Sequence, residues 1–318
     1  LAALAVVGAV GDMQDTDGGL IGANEGIVAE GVAAGAIEEV TDISLYGRQT
    51  RPLPKLLEYA SELRIPGISG DEEGSIRFLS DLDVDLKVDG DWRRWVDLSF
   101  EERQTVASAL MKHAISRGVP PERVNSVTTT TYVLSAEEVG TELRDVSEFS
   151  TVLNATARYE RADVGLAVCL GYRDEALEEA RRLLRTHRRN LSEGLEWVKT
   201  EGVEQADNLQ WFDAGTRIRE TIVGIIAGMA LGASGIRRDQ PIVAFAQENS
   251  DELKVSARGN GFLVRDGLDL SVVMSEAADA VGGGGGGHDV AAGATIPREQ
   301  RDAFLDEADR IVGEQLGD

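Results

Sequence analysis

Cysteine is almost missing from this chain. Cys169 is the only one, which excludes a disulfide framework and any zinc site built on cysteine pairs. Histidine is equally scarce. His113, His187 and His288 lie far apart and show no metal-ligand spacing among themselves. Aromatic residues make up 5% of the chain, so its cores are expected to rest on Val, Leu, Ile and Ala. Only five of the 32 basic residues are Lys; the rest are Arg. No signal peptide is visible. The apolar stretch Leu1–Val10 falls short of the roughly 20 residues that cross a bilayer. The expectation is a cytoplasmic protein with no membrane partner. The chain opens on Leu in the middle of an apolar pattern, which reads as a piece of a longer protein.

What is present is acid and glycine. The net charge is −24 over 318 residues. Acidic excess with depleted lysine points to a salt-rich, halophilic cytosol, and a generally acidic mesophilic protein is the plainer alternative. A net anion repels nucleic acid at long range. In roughly molar salt the screening length falls to about 3 Å, so only charges in contact count. The charge balance therefore neither supports nor excludes a phosphodiester in a local Arg-lined groove. Hydrophobic content of 42% and this length predict about two domains.

Along the chain, Leu1–Val10 reads as a buried element that ends in the polar turn Gly11–Asp15. Asn24–Ala36 and Leu53–Leu63 have helical patterns, with Gly47-Arg48-Gln49-Thr50-Arg51-Pro52 between them. Asp81–Asp91 reads as a solvated connector. Ser99–Ser116 begins with a capping box and continues as a helix. Thr128–Leu134 is β-branched and reads as a strand. Asp174–Thr200 is the longest helical pattern, acidic first and basic later, as the helix dipole prefers. Beyond it strands and helices alternate: Leu209–Asp213, Pro241–Gln247 and Leu253–Arg258 as strands, and Ile218–Leu231 and Leu268–Val281 as helices. A short strand, Ala294–Pro297, and a last helix, Arg298–Leu316, follow the glycine run. This part reads as a compact α/β unit.

The run Gly282–Gly287, followed by His288-Asp289-Val290-Ala291-Ala292-Gly293, is the most informative stretch. Glycines take positive φ and let a backbone come close to a ligand. Read as a turn, their N–H groups converge on an anion, phosphate being the commonest, with His288 as a donor at the lip. A flexible linker is the plainer reading.

With "KVSARGN" at Lys254–Asn260, the sequence "GGGGGGHDVAAGATIP" resembles the DHHA1 domain of DHH-family phosphoesterases. "LAVVGAVGDMQD" at Leu4–Asp15 resembles that family's fourth catalytic motif. "EFSTVLNATARYE" at Glu148–Glu160 resembles the Asn-Ala-x-x-Arg segment of its RecJ branch, and "GRQTRPLPKLLEYA" fits the archaeal subgroup. The order of these pieces resembles archaeal RecJ-like single-strand exonucleases. The Asp-x-Asp motif, a second lone Asp and the Asp-His-His motif have no counterpart here and would precede Leu1. The resemblance implies an α/β fold: residues 1–172 as the C-terminal part of a DHH-type catalytic domain, 173–204 as a connecting helix, and 205–318 as a complete, smaller DHHA1 substrate-binding domain.

The resemblance makes Asp12 a catalytic ligand of a two-metal Mn2+ (or Mg2+) site, completed by residues upstream of this chain. Asp15 is the fallback ligand, and Asp17 is taken as solvated. Two metals serve phosphodiester hydrolysis by activating water and neutralising phosphate, and one carboxylate cannot hold both, so this chain alone is expected to be inactive. Arg258, Gly285, Gly286, Gly287 and His288 are implied to hold the substrate strand, with Asn154 and Arg158 near the cleft. The plainer readings are that Asp12 caps its element or faces solvent, that Arg258 is an ordinary strand-end Arg, and that Asn154 and Arg158 are a structural cap and a surface Arg. Arg181, Arg182, Arg185, Arg188 and Arg189 line a groove or, more simply, a solvated face. Trp92, Trp95, Trp197 and Trp211 stack bases or, more simply, pack. The function implied is a manganese-dependent exonuclease on single-stranded DNA or RNA. Two other readings stay open: a replisome scaffold bound to GINS and the replicative helicase, and a nanoRNase-like or phosphoadenosine-phosphatase-like enzyme.

Overall fold

The computed structural model describes all residues except Thr16, Asp17, Ser61, Glu62, Gly232, Ser234 and Asp318. Asp17 therefore lies outside the described residues. The chain is an α/β protein that divides into two compact units, Leu1–Arg181 and Arg182–Asp318.

The first unit is mainly helical. It runs through α1 (Ala2–Gly11), α2 (Ala23–Ala33), β1 (Ile37–Ile43), α3 (Leu53–Glu58), α4 (Glu72–Ser80), a small hairpin of β2 (Lys87–Val88) and β3 (Asp91–Trp92), α5 (Phe100–Ser116), α6 (Pro121–Asn125), β4 (Thr128–Leu134), α7 (Val146–Arg158) and α8 (Ala162–Cys169). β1 and β4 pair antiparallel, from Ile37 opposite Leu134 to Ile43 opposite Thr128. The expected capping box is formed: Ser99 Oγ accepts from the Glu102 N–H and Glu102 Oε2 accepts from the Ser99 N–H. Ile43, Leu53, Leu56, Leu57, Leu79, Trp95, Val106 and Leu110 belong to one apolar core. Two expectations need correction. The helix expected over Leu53–Leu63 stops at Glu58, and the expected connector Asp81–Asp91 contains the first strand of the small hairpin and reaches its second.

The helix α9 (Glu175–Glu201) carries the chain across the division between the units. The second unit continues with β5 (Glu204–Gln205), β6 (Gln210–Asp213), α10 (Val223–Ala230), β7 (Ile242–Gln247), β8 (Glu252–Arg258), α11 (Gly261–Arg265), α12 (Leu270–Ala280), β9 (Gly284–Gly287), β10 (Ala291–Pro297) and α13 (Arg301–Leu316). The sheet order is β5-β6-β7-β8-β10-β9. Only β6 and β7 run parallel; the other pairs are antiparallel. The apolar run of β7 reflects burial on both faces, as a covered central strand requires. Val243 and Phe245 join α12 and α13 in one core. Ile242, Ala244 and Ala246 join Val198 of α9 and Ile226 of α10 in the other. The second unit's helix expected from Ile218 begins at Val223, and Arg298–Gln300 forms a short 3-10 turn ahead of α13.

The glycine run corrects the largest expectation. Gly284–Gly287 is an edge strand, not an anion-cradling turn: Gly287, Gly286, Gly285 and Gly284 stand opposite Ala292, Gly293, Ala294 and Thr295. In a strand successive groups alternate in direction, so these N–H groups do not converge on one point. Glycine is needed here because α12 rides directly on the strand. A Cβ on Gly285 would lie 2.2 Å from the Met274 carbonyl oxygen.

Candidate functional site

In the first unit the end of α1 presents Asp12. Its helix closes with Met13 at φ 58° and the Gln14 N–H donating 3.0 Å back to the Ala9 carbonyl, a Schellman turn whose left-handed position glycine usually fills. The exposed Asp12 carboxylate accepts from Gln14 Nε2 at 2.9 Å, and Gln14 Oε1 in turn accepts from Asn24 Nδ2 at 2.7 Å. That chain of amides orients the carboxylate. Asn154 of α7 donates from Nδ2 to the Gly11 carbonyl at 3.4 Å, and Gly11 packs on Ser150, where an added Cβ would come within 3.2 Å of the Ser150 Cβ. The structure thus brings Asn154 to the residue beside Asp12. Arg158, one turn further on, is exposed at the end of the same helix.

What positions α7 was not foreseen. Asp145 caps it, Oδ1 accepting from the Ser147 N–H at 2.9 Å, while Oδ2 accepts from Arg48 Nε at 2.9 Å. Both side chains are buried. Arg48 Nη1 also donates to the Ile43 carbonyl at 2.6 Å. Glu148 is buried beside them; its Oε1 accepts from the Gln49 N–H at 2.8 Å and its Oε2 pairs with the Thr50 hydroxyl. Burial, and then the neighbouring Asp145 charge, push the Glu148 carboxyl up to about 7. The segment Gly47–Pro52 is therefore a docking loop for the α7 N-terminus. The signal available in the sequence was Asp145-x-x-Glu148, a helix-start pattern.

Asp12 does not make a metal centre by itself. Among the described residues no three or more His, Cys, Asp or Glu side chains are grouped to hold an ion. Asp15, the fallback ligand, is half-buried, and burial raises its carboxyl above the ordinary value, which works against ligation.

In the second unit the strand β8 alternates. Leu253, Val255 and Ala257 enter the α12–α13 core, which puts Ser256 and Arg258 on the α10 face. Room for the guanidinium comes from glycines of α10: a Cβ on Gly224 would lie 2.6 Å from Arg258 Nη2. Arg258 Nη1 donates to the Ala257 carbonyl at 2.8 Å. Its register partner is Ala291, the residue that closes the β9–β10 hairpin with His288, whose N–H donates to the Ala291 carbonyl at 2.9 Å. Strand pairing therefore brings Arg258 and the exposed His288 to one end of the sheet. Gly287, at φ 147°, allows the entry into that hairpin; a Cβ there would meet Ala292 Cα at 2.6 Å.

Of the remaining candidates, two arginines lie against acidic side chains and three of the four tryptophans pack. Arg181 pairs with Glu142 and Glu178, and Arg189 lies 3.9 Å from Glu193. Trp95 is buried and donates to Asp42 at 2.8 Å. Trp197 and Trp211 make edge contacts with Phe212 and Phe245. Trp92 is exposed beneath Lys87.

Residues 45–128 match the family model of the DHH-CID domain, and residues 211–314 match that of the DHHA1 domain. The chain thus carries a DHH-CID domain and a DHHA1 domain. The glycine edge strand, the hairpin and Arg258 all fall inside the DHHA1 match, and the Arg48 loop falls inside the DHH-CID match. An uncharacterised protein of Methanocaldococcus jannaschii is 29% identical over 99% of this chain. This chain spans 64% of that relative's length. Among solved structures, CDC45 from Entamoeba histolytica shares the fold with a TM-score of 0.52 and 9% identity, over 87% of this chain and 58% of that one. RecJ from Thermus thermophilus, in complex with Mg2+, aligns with a TM-score of 0.42 and 19% identity over 53% of this chain and 26% of that one. No described helix is long and apolar enough to cross a membrane.

Proposed function

We propose that the whole protein is a metal-dependent phosphodiesterase acting on single-stranded DNA or RNA, and that each unit of this chain contributes one functional surface. The first is the end of α1, where Asp12 supplies one carboxylate to a Mn2+ or Mg2+ site whose other ligands lie outside the residues described here. Asn154 steadies that end through the Gly11 carbonyl, and Arg158 carries positive charge one turn along. The second is the Arg258–His288 end of the DHHA1 sheet, which holds the sugar-phosphate chain. The observation that carries the reading is the pairing of β8 with β10, which sets a guanidinium and an imidazole at one end of a sheet whose edge, Gly284–Gly287, has no side chains to obstruct a strand. Planar guanidinium groups suit phosphate oxygens. The acidic, lysine-poor composition fits a salt-rich cytoplasm, where contact charges outweigh the repulsion of the whole chain.

The test is hydrolysis of an end-labelled single-stranded oligonucleotide by the full-length protein in Mn2+. Asp12→Ala should abolish cleavage while leaving strand binding. This chain on its own should bind the strand and cleave nothing. Cleavage by the chain alone would refute the shared metal site. Undiminished cleavage by Asp12→Ala would remove Asp12 from it. Capture of GINS by a full-length protein that cleaves nothing would replace the enzyme with a scaffold.

A further inference from the structure

Phe262, in the short helix after Arg258, is 64% exposed. Its position is nevertheless fixed. Asn260 Oδ1 accepts from the Phe262 N–H at 2.9 Å and from the Leu263 N–H at 3.2 Å. Asn260 Nδ2 donates to the Arg238 carbonyl at 2.7 Å. The neighbouring Leu263 is buried in the α12–α13 core. The Gly259 N–H donates to the Val290 carbonyl at 2.9 Å, which ties the base of this loop to the hairpin tip. The Arg265 guanidinium lies over the Phe262 ring, 4.6 Å from its centroid, and is itself steadied by Nε donating to the Gly261 carbonyl at 3.1 Å.

Charge is balanced differently at the two ends of these strands. Register places Ile242 opposite Arg258 at one end of β7–β8 and Gln247 opposite Leu253 at the other. The Gln247 end carries Lys254, Arg298 and Arg301 against Asp213, Glu248, Asp251, Glu252, Glu299 and Asp302. The Arg258 end carries Arg237, Arg238, Arg258, Arg265 and His288 against Asp239, Asp266 and Asp289. Asp239 is held by Arg237 at 2.7 Å, and Asp289 Oδ1 accepts from the Val290 N–H at 2.8 Å. The sheet end where arginines outnumber carboxylates thus also exposes a fixed aromatic ring.

We infer that Phe262, backed by Arg265, is a stacking platform for one base of an unpaired nucleic-acid strand. This rests on the proposed clamp at Arg258 and His288, which holds the backbone of the same strand. A ring with a cation on one face offers the other to a base, and such stacking tolerates any sequence because every base has a π-face.

The test is equilibrium binding of two labelled probes of equal length, an oligothymidylate and its abasic counterpart, to the 318-residue chain at one fixed salt concentration. Phe262→Ala should weaken oligothymidylate binding on the order of tenfold and leave the abasic probe unchanged. Phe262→Trp should keep wild-type affinity. His288→Ala should weaken both probes equally. If Phe262→Ala leaves oligothymidylate binding intact, or weakens both probes alike, the stacking platform is overturned while a His288 effect keeps the clamp. If the wild-type chain binds neither probe, platform and clamp fall together.

Discussion

In the first unit, Arg48, Asp145 and Glu148 lie buried and tie a polar loop to the start of the helix that carries Asn154. In the second, Gly283, Gly285 and Gly287 leave space into which α12 and the neighbouring strand close. One region is ordered by charges that need each other, the other by side chains that are missing. The first tolerates loss of a partner badly, because a buried charge left alone is costly. The second tolerates any added atom badly, because the obstacle is backbone.

The largest effect is therefore expected from Arg48→Met, which leaves Asp145 buried without its guanidinium partner. It should destabilise the protein by about 3–5 kcal/mol in denaturant titration. It should also weaken Asn154's hold on the end of α1, seen as faster amide exchange at Gly11–Gln14. A loss below about 1 kcal/mol would mean that the loop does not depend on this pair. Gly285→Ala should follow, at about 1–3 kcal/mol, from collision with the Met274 carbonyl. Its effect should be confined to the second unit, and an unchanged melting profile would contradict the close approach of α12 to the edge strand.

An effect of similar size concerns pH. The Glu148 carboxyl sits near 7 in the folded protein against an ordinary 4.5. The folded state therefore holds a proton that the unfolded state releases, and stability from this group falls as pH rises between those values and levels off above them. Glu148→Gln keeps an acceptor for the Gln49 N–H and removes the proton. Its stability relative to wild type should rise by on the order of 2 kcal/mol between about pH 5 and about pH 8. A difference that stays constant with pH would place Glu148 outside the titrating groups.

Much of the local structure was legible. Ser99 and Glu102 announced α5, β-branched Thr128–Leu134 announced β4, and the long α9 departed from its expected bounds by one residue at each end. The family was legible in short motifs. The glycine run was misread because glycine has little preference of its own. What makes it a strand is the backbone of Met274 and the ladder of β10, and neither lies in its local pattern. The Arg48–Asp145 pair joins residues 97 positions apart, and nothing in the composition of either segment says that they meet. Asp12 and Asn154 were singled out separately, and the packing of α1 against α7 brings their segments together. The Phe262 ring passed unnoticed because a single Phe in a polar loop looks like core until its exposure is known.

The most direct measurement is the affinity of this chain for a labelled single strand and for the matching duplex, with wild-type protein and with His288→Ala, across a range of salt. The expected result is preference for the single strand, a loss on the order of tenfold in the variant, and a shallower salt dependence once the phosphate contact is gone. Equal affinities for wild type and variant at every salt concentration would contradict a backbone clamp at the glycine hairpin.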